Sequence, residues 1–247
     1  MVVWMFVQFS DPSLVSFFSP KHWLYGFCLL LIGATTLYGQ DSWKGPSGSW
    51  FTGSDWSSGV PTSSDTAIVD NGTTVQIVDG EAFVNRLIVG GTHFGSTVVL
   101  GLGGFLSMTN PLQIQNGGTF MYDGGQTRGN TNIVDNGTLE IIGGYTGFNV
   151  SVSGTGAVVI NETAILRIVP NTSLTYTGPT LLLGGTLQAG FAGAFSPNSA
   201  FTVNSTLDLN GFNNTIGSLS GTGIVLNNGT AAATLTIGND NSNSVFS

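Results

Sequence analysis

Short apolar segments that begin alike recur along this chain. Four of them start with a small residue, then Thr, then a large apolar residue: Gly118-Thr-Phe120, Gly137-Thr-Leu139, Gly185-Thr-Leu187 and Ser205-Thr-Leu207. A longer segment, Ser153-Gly-Thr-Gly-Ala-Val158, returns as Ser220-Gly-Thr-Gly-Ile-Val225. Imperfect repetition with a unit of about 20 residues predicts a solenoid, in which each coil buries its apolar side chains against the coils before and after it.

The repeating segments have the composition of β-strands. From Thr66 onward, short runs of β-branched and aliphatic residues end at Gly, Asn or Asp, as strands do. Every longer stretch with a helical period is interrupted by Gly or Asn, so we predict an all-β fold without helices after residue 40. The clearest runs are Thr66–Val69, Thr74–Val78, Arg86–Val89, Thr97–Leu100, Asn132–Val134, Thr138–Ile142, Ala157–Ile160 and Ile165–Val169.

Asn-Gly pairs mark turns between these runs, and they allow two architectures. Both residues tolerate a positive φ, which a sharp corner between stacked strands requires. The same pair is also the strongest short signal for a two-residue β-hairpin, so a hairpin meander is the alternative to a solenoid. We favour the solenoid because a sandwich or barrel would alternate buried apolar residues with charged outward ones. The pairs begin at Asn71, Asn116, Asn136, Asn210 and Asn228.

Charged residues are scarce and predominantly acidic. They make up 7% of the chain, with 13 acidic and five basic residues and a formal net charge of -8. Phosphate binding needs clustered Lys or Arg, and the basic residues after position 40 are widely separated, so nucleic acid is not an expected partner. A charge repeated in register in stacked coils would lie about 4.8 Å from its copy and be repelled. The scattered basic residues are Lys44, Arg86, Arg128 and Arg167.

Residues 1–40 have the pattern of an extended secretory signal peptide. Lys21 and His22 precede an uncharged run from Trp23 to Thr36, which is shorter than the roughly 20 apolar residues that span a bilayer. Gly39 is a suitable residue before the cleavage site, and a signal anchor is the alternative. Removal of the segment would take away Cys28, the single cysteine, and leave an exported chain without thiols. This segment is also the expected contact with the inner membrane.

Three tryptophans lie close together directly after the signal segment. Trp43, Trp50 and Trp56 fall within residues 41–65, and no Trp follows over the rest of the chain. Because the first coil of a solenoid exposes an apolar end, these aromatics predict an N-terminal cap over residues 41–65. Exposed aromatics also stack on sugars, so a carbohydrate platform is the alternative. Residues 66–247 are then the β-solenoid repeats.

Several segments resemble the autotransporter-associated β-strand repeat. They are Gly184-Gly-Thr-Leu-Gln-Ala-Gly190, Ala194-Phe-Ser-Pro-Asn198 and the stretch from Leu207 to Gly223. Trp50-Phe-Thr-Gly-Ser-Asp-Trp56 resembles the start of many passenger segments of such proteins. The resemblance implies a right-handed parallel β-helix, exported and displayed on a Gram-negative-type cell, with no catalytic residues to transfer. The sequence lacks a C-terminal membrane barrel, so we expect an N-terminal fragment truncated within the repeats.

One histidine and three pairs of acidic residues are the candidate catalytic groups of the sequence. His93 is the single histidine after the predicted signal peptide. Zinc sites usually need several His or Cys ligands, so we predict that His93 is a loop residue. Paired carboxylates hydrolyse glycans in many enzymes. Asp79 and Glu81 flank Gly80 in a predicted turn, and we expect no nearby Arg or Lys to hold an acidic sugar. The candidate pairs are Asp65 with Asp70, Asp79 with Glu81, and Asp135 with Glu140.

Metal and phosphate motifs are incomplete in this sequence. Asn239-Asp-Asn-Ser-Asn243 has closely spaced oxygen ligands but lacks the glycine and distal Glu of a helix-loop-helix calcium site. The glycine-rich segments are followed by Thr and strands instead of Lys and a helix, so they do not form a phosphate loop. We therefore predict no catalytic, cofactor-binding or metal-binding residues and no cofactor.

These observations predict a secreted, surface-displayed solenoid that acts as a stalk or adhesin of a Gram-negative-type bacterium, associated with the outer membrane, and is not an enzyme. The expected partners are an extracellular glycan or the surface of a host or neighbouring cell, with self-association through the ends of the solenoid. The alternative is a glycan-active β-helix enzyme, a lyase or hydrolase, whose catalytic part lies outside this fragment.

Overall fold

The structure, a computed structural model, describes residues 39–143 and 147–247. The predicted signal peptide, with Cys28, lies outside these residues except for Gly39 and Gln40, which begin the first strand. No helix in the part of the chain that the structure describes has the length and apolar character needed to cross a membrane.

The described residues form 23 β-strands and a single 3-10 turn at Gly53–Asp55, with no α-helix among them. In chain order the strands are β1 (Gly39–Ser42), β2 (Gly48–Ser49), β3 (Asp65–Val69), β4 (Thr74–Ile77), β5 (Glu81–Val84), β6 (Arg86–Val89), β7 (Ser96–Gly101), β8 (Phe105–Met108), β9 (Leu112–Ile114), β10 (Gly118–Asp123), β11 (Gln126–Gly129), β12 (Ile133–Asp135), β13 (Thr138–Gly143), β14 (Gly147–Phe148), β15 (Val152–Gly154), β16 (Ala157–Ile168), β17 (Thr180–Ala189), β18 (Ala200–Val203), β19 (Thr206–Asp208), β20 (Asn214–Ile216), β21 (Ser218–Ser220), β22 (Ile224–Leu226) and β23 (Leu235–Ile237).

The strands pair with the equivalent strands of the coils before and after, which makes the fold a parallel β-solenoid. One six-stranded sheet has the order β1-β3-β6-β9-β12-β15, and a larger sheet runs from β2 through β4, β7, β10, β13 and β16 to β17. Strands β5, β8 and β11 form a third sheet. The predicted all-β solenoid is confirmed, with coils of about 21 residues. The hairpin meander is wrong, because every pairing between these strands is parallel.

The repeated Thr-apolar motif is explained by this register. Along strands β4, β7, β10 and β13, each threonine pairs with the threonine of the next coil: Thr74 with Thr97, Thr97 with Thr119 and Thr119 with Thr138. Their side chains form an outward ladder of hydroxyl groups. The next residue of each strand faces inward, where Val75, Val98, Phe120, Leu139 and Val158 form a buried column. Each such side chain contributes about 1.5–3 kcal/mol by leaving water. Among the repeats found in the sequence, Thr119 pairs with Thr138 and Thr186 pairs with Thr206, so each of these two pairs comes from adjacent coils.

One pair of predicted strands is a single strand in the structure. The runs at 157–160 and 165–169 are joined in β16, whose pairing with β17 shifts register between Ile160 and Ile165. The shift bends the strand, so its two halves pair with β13 and β14, respectively. A polar interruption in the sequence, Asn161-Glu-Thr-Ala164, thus marks a bend and not the end of a strand.

The Asn-Gly corners use glycine for two different reasons. Gly72 and Gly117 have positive φ values of 76° and 78°, and Asn210 and Gly211 are both in the left-handed region, as expected for corners. Gly137 lacks a positive φ, but a Cβ there would collide with the carbonyl oxygens of Gln115 and Gly118 in the preceding coil. At that corner adjacent coils approach so closely that no side chain fits. The Asn-Gly pattern looks the same whether glycine is needed for a positive φ or for this lack of space.

The three tryptophans lie inside the first coil. Trp50 packs edge-on against Trp56 with ring centroids 4.6 Å apart, and Trp43 packs edge-on against the other side of Trp56 at 5.2 Å. All three are buried, and the Trp56 indole N–H donates to the Trp50 carbonyl at 2.7 Å. The carbohydrate platform considered for these residues is therefore wrong, because their ring faces are covered. Their role as a cap over residues 41–65 stays a prediction.

Candidate binding face

The solenoid places the three predicted acid pairs in three different environments. Asp65 accepts hydrogen bonds from the Thr62 N–H at 2.9 Å and from the Thr62 hydroxyl at 2.6 Å, which closes the turn before β3. Asp70 instead bonds across coils to the loop at 92–93. The Asp65 carboxylate thus fixes the turn before β3, and the Asp70 carboxylate fixes the loop at 92–93. Neither of these contacts joins the two carboxylates to each other.

Asp70 and His93 form an exposed polar cluster with Thr92. Asp70 accepts from the Thr92 hydroxyl at 2.6 Å and from the His93 N–H at 2.8 Å, and the His93 Nδ1 atom lies 3.6 Å from an Asp70 oxygen. Partial burial raises the pKa of Asp70, but these hydrogen bonds outweigh it and bring the pKa below its usual value. His93 is thus a loop residue, as predicted, and its loop ends in Phe94, which is 77% exposed.

Asp135 and Glu140 point to opposite sides of the sheets. Asp135 is 0% exposed on the inward face of β12, whereas Glu140 lies at an outward position of β13. Burial raises the pKa of Asp135 to about 6, although the N–H groups of Gly137 and Leu139 lower it in part. This is the pKa of a general acid, but the carboxyl group is closed off from any substrate.

The third sheet brings together charged and aromatic residues that are far apart in sequence. Its strands are in register, so Glu81, Phe105 and Gln126 are neighbours in one row, and Phe83, Ser107 and Arg128 are neighbours in the next. Glu81, Phe83, Phe105 and Ser107 alternate with buried positions and face outward, and Gln126 and Arg128 are exposed on β11. We call this surface, made of Glu81, Phe83, Phe105, Ser107, Gln126 and Arg128, the third-sheet face.

A network of contacts fixes the polar groups of the third-sheet face. The Arg128 guanidinium lies 3.8 Å from the centre of the Phe105 ring and 3.2 Å from the Glu81 carboxylate. The Ser107 hydroxyl donates to the same Glu81 oxygen at 2.7 Å. This hydrogen bond, together with Arg128, lowers the pKa of Glu81. Glu81 is therefore ionised at neutral pH, and its charge is balanced by Arg128.

Phe83 is the aromatic residue of the face that stays open. Its side chain is 48% exposed, whereas Phe105 is partly covered by Arg128. Beside the face, an apolar margin follows the turn that precedes the third sheet: Phe51 lies over Gly80, Val78 over Gly101 and Leu102 over Gly124. The face thus combines a flat apolar surface with a carboxylate, a guanidinium, a hydroxyl and an amide.

The sequence prediction missed this arrangement. It found no basic residue near Asp79 and Glu81, but Arg128, far along the chain, contacts Glu81 directly. The carboxylates of Asp79 and Glu81 also differ in role, since Asp79 occupies the turn with a φ of 49° while Glu81 begins β5. No repeat of fixed length points to Arg128, because Glu81, Phe105 and Gln126 occupy the same place in successive coils at unequal spacings in sequence.

A second surface feature is an uncharged groove across the six-stranded sheet. It has a volume of about 370 Å³ and is lined by hydroxyl, amide and apolar groups from four coils. Its residues are Pro111, Asn132, Ile133, Val134, Ser151, Val152, Ser153, Ser173 and Thr175.

No group of three or more His, Cys, Asp or Glu side chains with the spacing of a metal site occurs among the described residues. In the acidic segment at 239–243, Asp240 accepts from the Ser242 N–H at 3.0 Å and from its hydroxyl at 2.8 Å.

Taken together, the stacked parallel strands and the polar outward ladders define a parallel β-solenoid. Comparison with curated proteins agrees: over 139 residues the chain is 37% identical to the adhesin BmaC autotransporter of Brucella suis biovar 1 (strain 1330). The aligned part is 53% of this chain and 4% of that adhesin, so the chain spans a small fraction of its length. The predicted resemblance to an autotransporter passenger is thereby confirmed. No protein-family profile and no solved structure matches the chain.

Proposed function

We propose that the chain is part of a surface-displayed adhesive passenger, a non-catalytic stalk that carries binding groups on its outer faces. The observation that carries this proposal is the third-sheet face, where polar and aromatic side chains from three coils are held in one exposed surface. The similarity of the chain to an autotransporter adhesin supports the same function. Export by the predicted signal segment and association with the outer membrane of a Gram-negative-type bacterium belong to this proposal.

The ionisation of the acids supports a non-catalytic role over the alternative of a glycan-active enzyme. A glycosidase needs an accessible acid with a raised pKa close to a second carboxylate. Asp135 has the raised pKa but is buried, and Glu81 is accessible but has a lowered pKa and a cationic partner. The acids of each predicted pair thus serve turns, the interior or an ion pair.

The proposed partners are an extracellular glycan or a cell surface, and not nucleic acid, because the basic residues of the described solenoid are dispersed. Self-association through the end coils is a further proposal, supported by the exposed side chains of Ile224 and Ile237 on β22 and β23. Sedimentation velocity over a range of concentrations tests it, and a single monomeric species throughout would contradict it.

Adhesion of coated beads to cells tests the proposed function. We expect beads carrying the full chain to attach to host or neighbouring bacterial cells more than beads carrying the heat-unfolded chain. In parallel, incubation with polysaccharides should release no new reducing ends or unsaturated products. Equal attachment of folded and unfolded chains, or steady release of cleavage products, would contradict the proposal.

A further inference from the structure

We propose that the third-sheet face binds uncharged hexose units of a glycan, with Phe83 as the stacking platform. This inference rests on the proposed adhesive function and names the ligand class and the surface that takes it.

The side chains of the third-sheet face match the chemistry of a sugar ring. A pyranose ring presents C–H bonds on one side and hydroxyl groups around its edge. Phe83 offers an exposed ring with a negative π-face to those C–H bonds. Beside it, Glu81 accepts from hydroxyl groups, Arg128 donates to them, and Gln126 does both. A sugar therefore finds its apolar side and its polar edge matched by adjacent rows of one sheet.

The polar groups of the face are already held in position before a ligand binds. Arg128 stacks on Phe105 and pairs with Glu81, and Glu81 also accepts from Ser107. Side chains fixed by such contacts lose little rotamer freedom when a ligand binds, so a weak and shallow site gains affinity from preorganisation. The backbone beneath is equally fixed, because β8 pairs on both sides, with β5 and β11.

The charge of the chain favours a neutral ligand. The face holds one carboxylate and one guanidinium, so its own charge is balanced, while the whole chain carries a net charge of -8. Sulfated or uronate-rich glycans are repelled by the chain as a whole. A neutral hexose does not meet this repulsion. Charge therefore selects neutral over acidic glycans.

Binding to immobilised oligosaccharides tests the inference. The probes are short neutral gluco-, manno- and galacto-oligosaccharides, with heparin fragments and oligogalacturonate as acidic probes. We expect the full chain to be retained by at least one neutral class and by neither acidic probe. Phe83→Ala should weaken that binding by about tenfold or more, because loss of a central stacking residue commonly has such an effect. Glu81→Gln and Arg128→Gln should each weaken it severalfold.

Phe94→Ala is the matched control, since Phe94 is an equally apolar and more exposed aromatic on the loop before β7, away from β5. Its affinity should stay within about twofold of the unmodified chain, and thermal unfolding should show that every variant folds. The inference is overturned if no neutral probe is retained, if acidic probes are preferred, or if Phe83→Ala and Phe94→Ala behave alike.

The bead assay separates this inference from the proposed function. If coated beads adhere equally with and without Phe83→Ala, adhesion stands and the glycan site on the third-sheet face is refuted. If neutral oligosaccharides bind through Phe83 while coated beads do not adhere, the binding site stands and the adhesive function is refuted.

Discussion

Asp135 carries a carboxyl group into the solenoid interior, where its Oδ2 atom has no hydrogen-bond partner. Its Oδ1 atom accepts from the Gly137 N–H at 3.0 Å, which secures the corner between β12 and β13. Burial raises its pKa from 3.8 to about 6, so the folded chain holds this proton more tightly than the unfolded chain. Stability therefore falls as pH rises from about 4 to about 6, and the loss, about 3 kcal/mol, persists above that range.

Asp135→Asn should remove this pH dependence. Asn retains an acceptor for the Gly137 N–H and has no charge to bury. We expect the variant to be more stable than the unmodified chain at pH 7 by up to about 3 kcal/mol and equally stable near pH 4. Urea unfolding at a series of pH values measures the difference.

Asp208→Asn provides the control of opposite sign. Asp208 is buried as well, and burial raises its pKa, but N–H groups of Asn228, Gln188 and Asn210 outweigh this and lower the pKa. Its charge therefore stabilises the fold at neutral pH, and that stability is lost as pH falls through the lowered pKa. The Asn variant should be less stable at pH 7, with the difference shrinking in acid. A pH-independent difference for Asp135→Asn would contradict the account of that residue.

At the scale of elements, the coils approach each other so closely that glycine is required at several corners. Gly154 and Gly221, which occupy the same place in the two Ser-Gly-Thr-Gly segments, both have a φ of 110° and both face a carbonyl oxygen of the preceding coil. Gly178, before β17, lacks a positive φ, but a Cβ there would collide with the carbonyl oxygens of Gly156 and Thr155. Its role is therefore spacing between coils.

Gly178→Ala should destabilise the chain by about 2–4 kcal/mol, because backbone of the neighbouring coil has to move. Gly53→Ala is the matched control: its nearest neighbours would lie 3.7 Å from the new Cβ, at ordinary contact distance. Both changes restrict the unfolded chain, with an effect of at most about 1 kcal/mol in each, so a difference of several kcal/mol between them reports on the folded state. Thermal or urea unfolding of the two variants gives that difference, and equal stabilities would show that the coils are not tightly stacked at this corner.

Sequence patterns predicted the positions of the strands better than which residues of neighbouring coils lie side by side. The Thr-apolar motif located strands correctly because both faces of each strand repeat, so that Thr119 pairs with Thr138 and Thr186 with Thr206. The third-sheet face was missed because the coils differ in length. A fixed repeat counted from Glu81 leads to the region of Gly101 and Met121, whereas the true neighbours are Phe105 and Gln126. Turns of variable length, such as the loop at 90–95, shift the alignment without changing the strand pattern.

For the whole molecule, scarcity of charge and binding chemistry have a common origin. Stacked identical charges repel at the strand spacing of about 4.8 Å, so a solenoid surface favours uncharged ladders such as the Thr ladder on the large sheet. Where two charges do occur together, on the third-sheet face, they have opposite signs and come from different coils. The resulting surface is flat, neutral and fixed, which suits repeated weak contacts with a cell surface more than chemistry on a single substrate.

Hydroxyl-radical footprinting of the exposed phenylalanines tests the central claim most directly, namely that side chains from three successive coils form one adhesive face. Oxidation of Phe83, Phe94 and Phe51 is measured by mass spectrometry with the chain free and with the chain bound to target cells or to a neutral oligosaccharide that it retains. The account predicts strong protection of Phe83, weaker protection of Phe51 at the margin of the face, and unchanged oxidation of Phe94. Protection of Phe94 with Phe83 unchanged would contradict it.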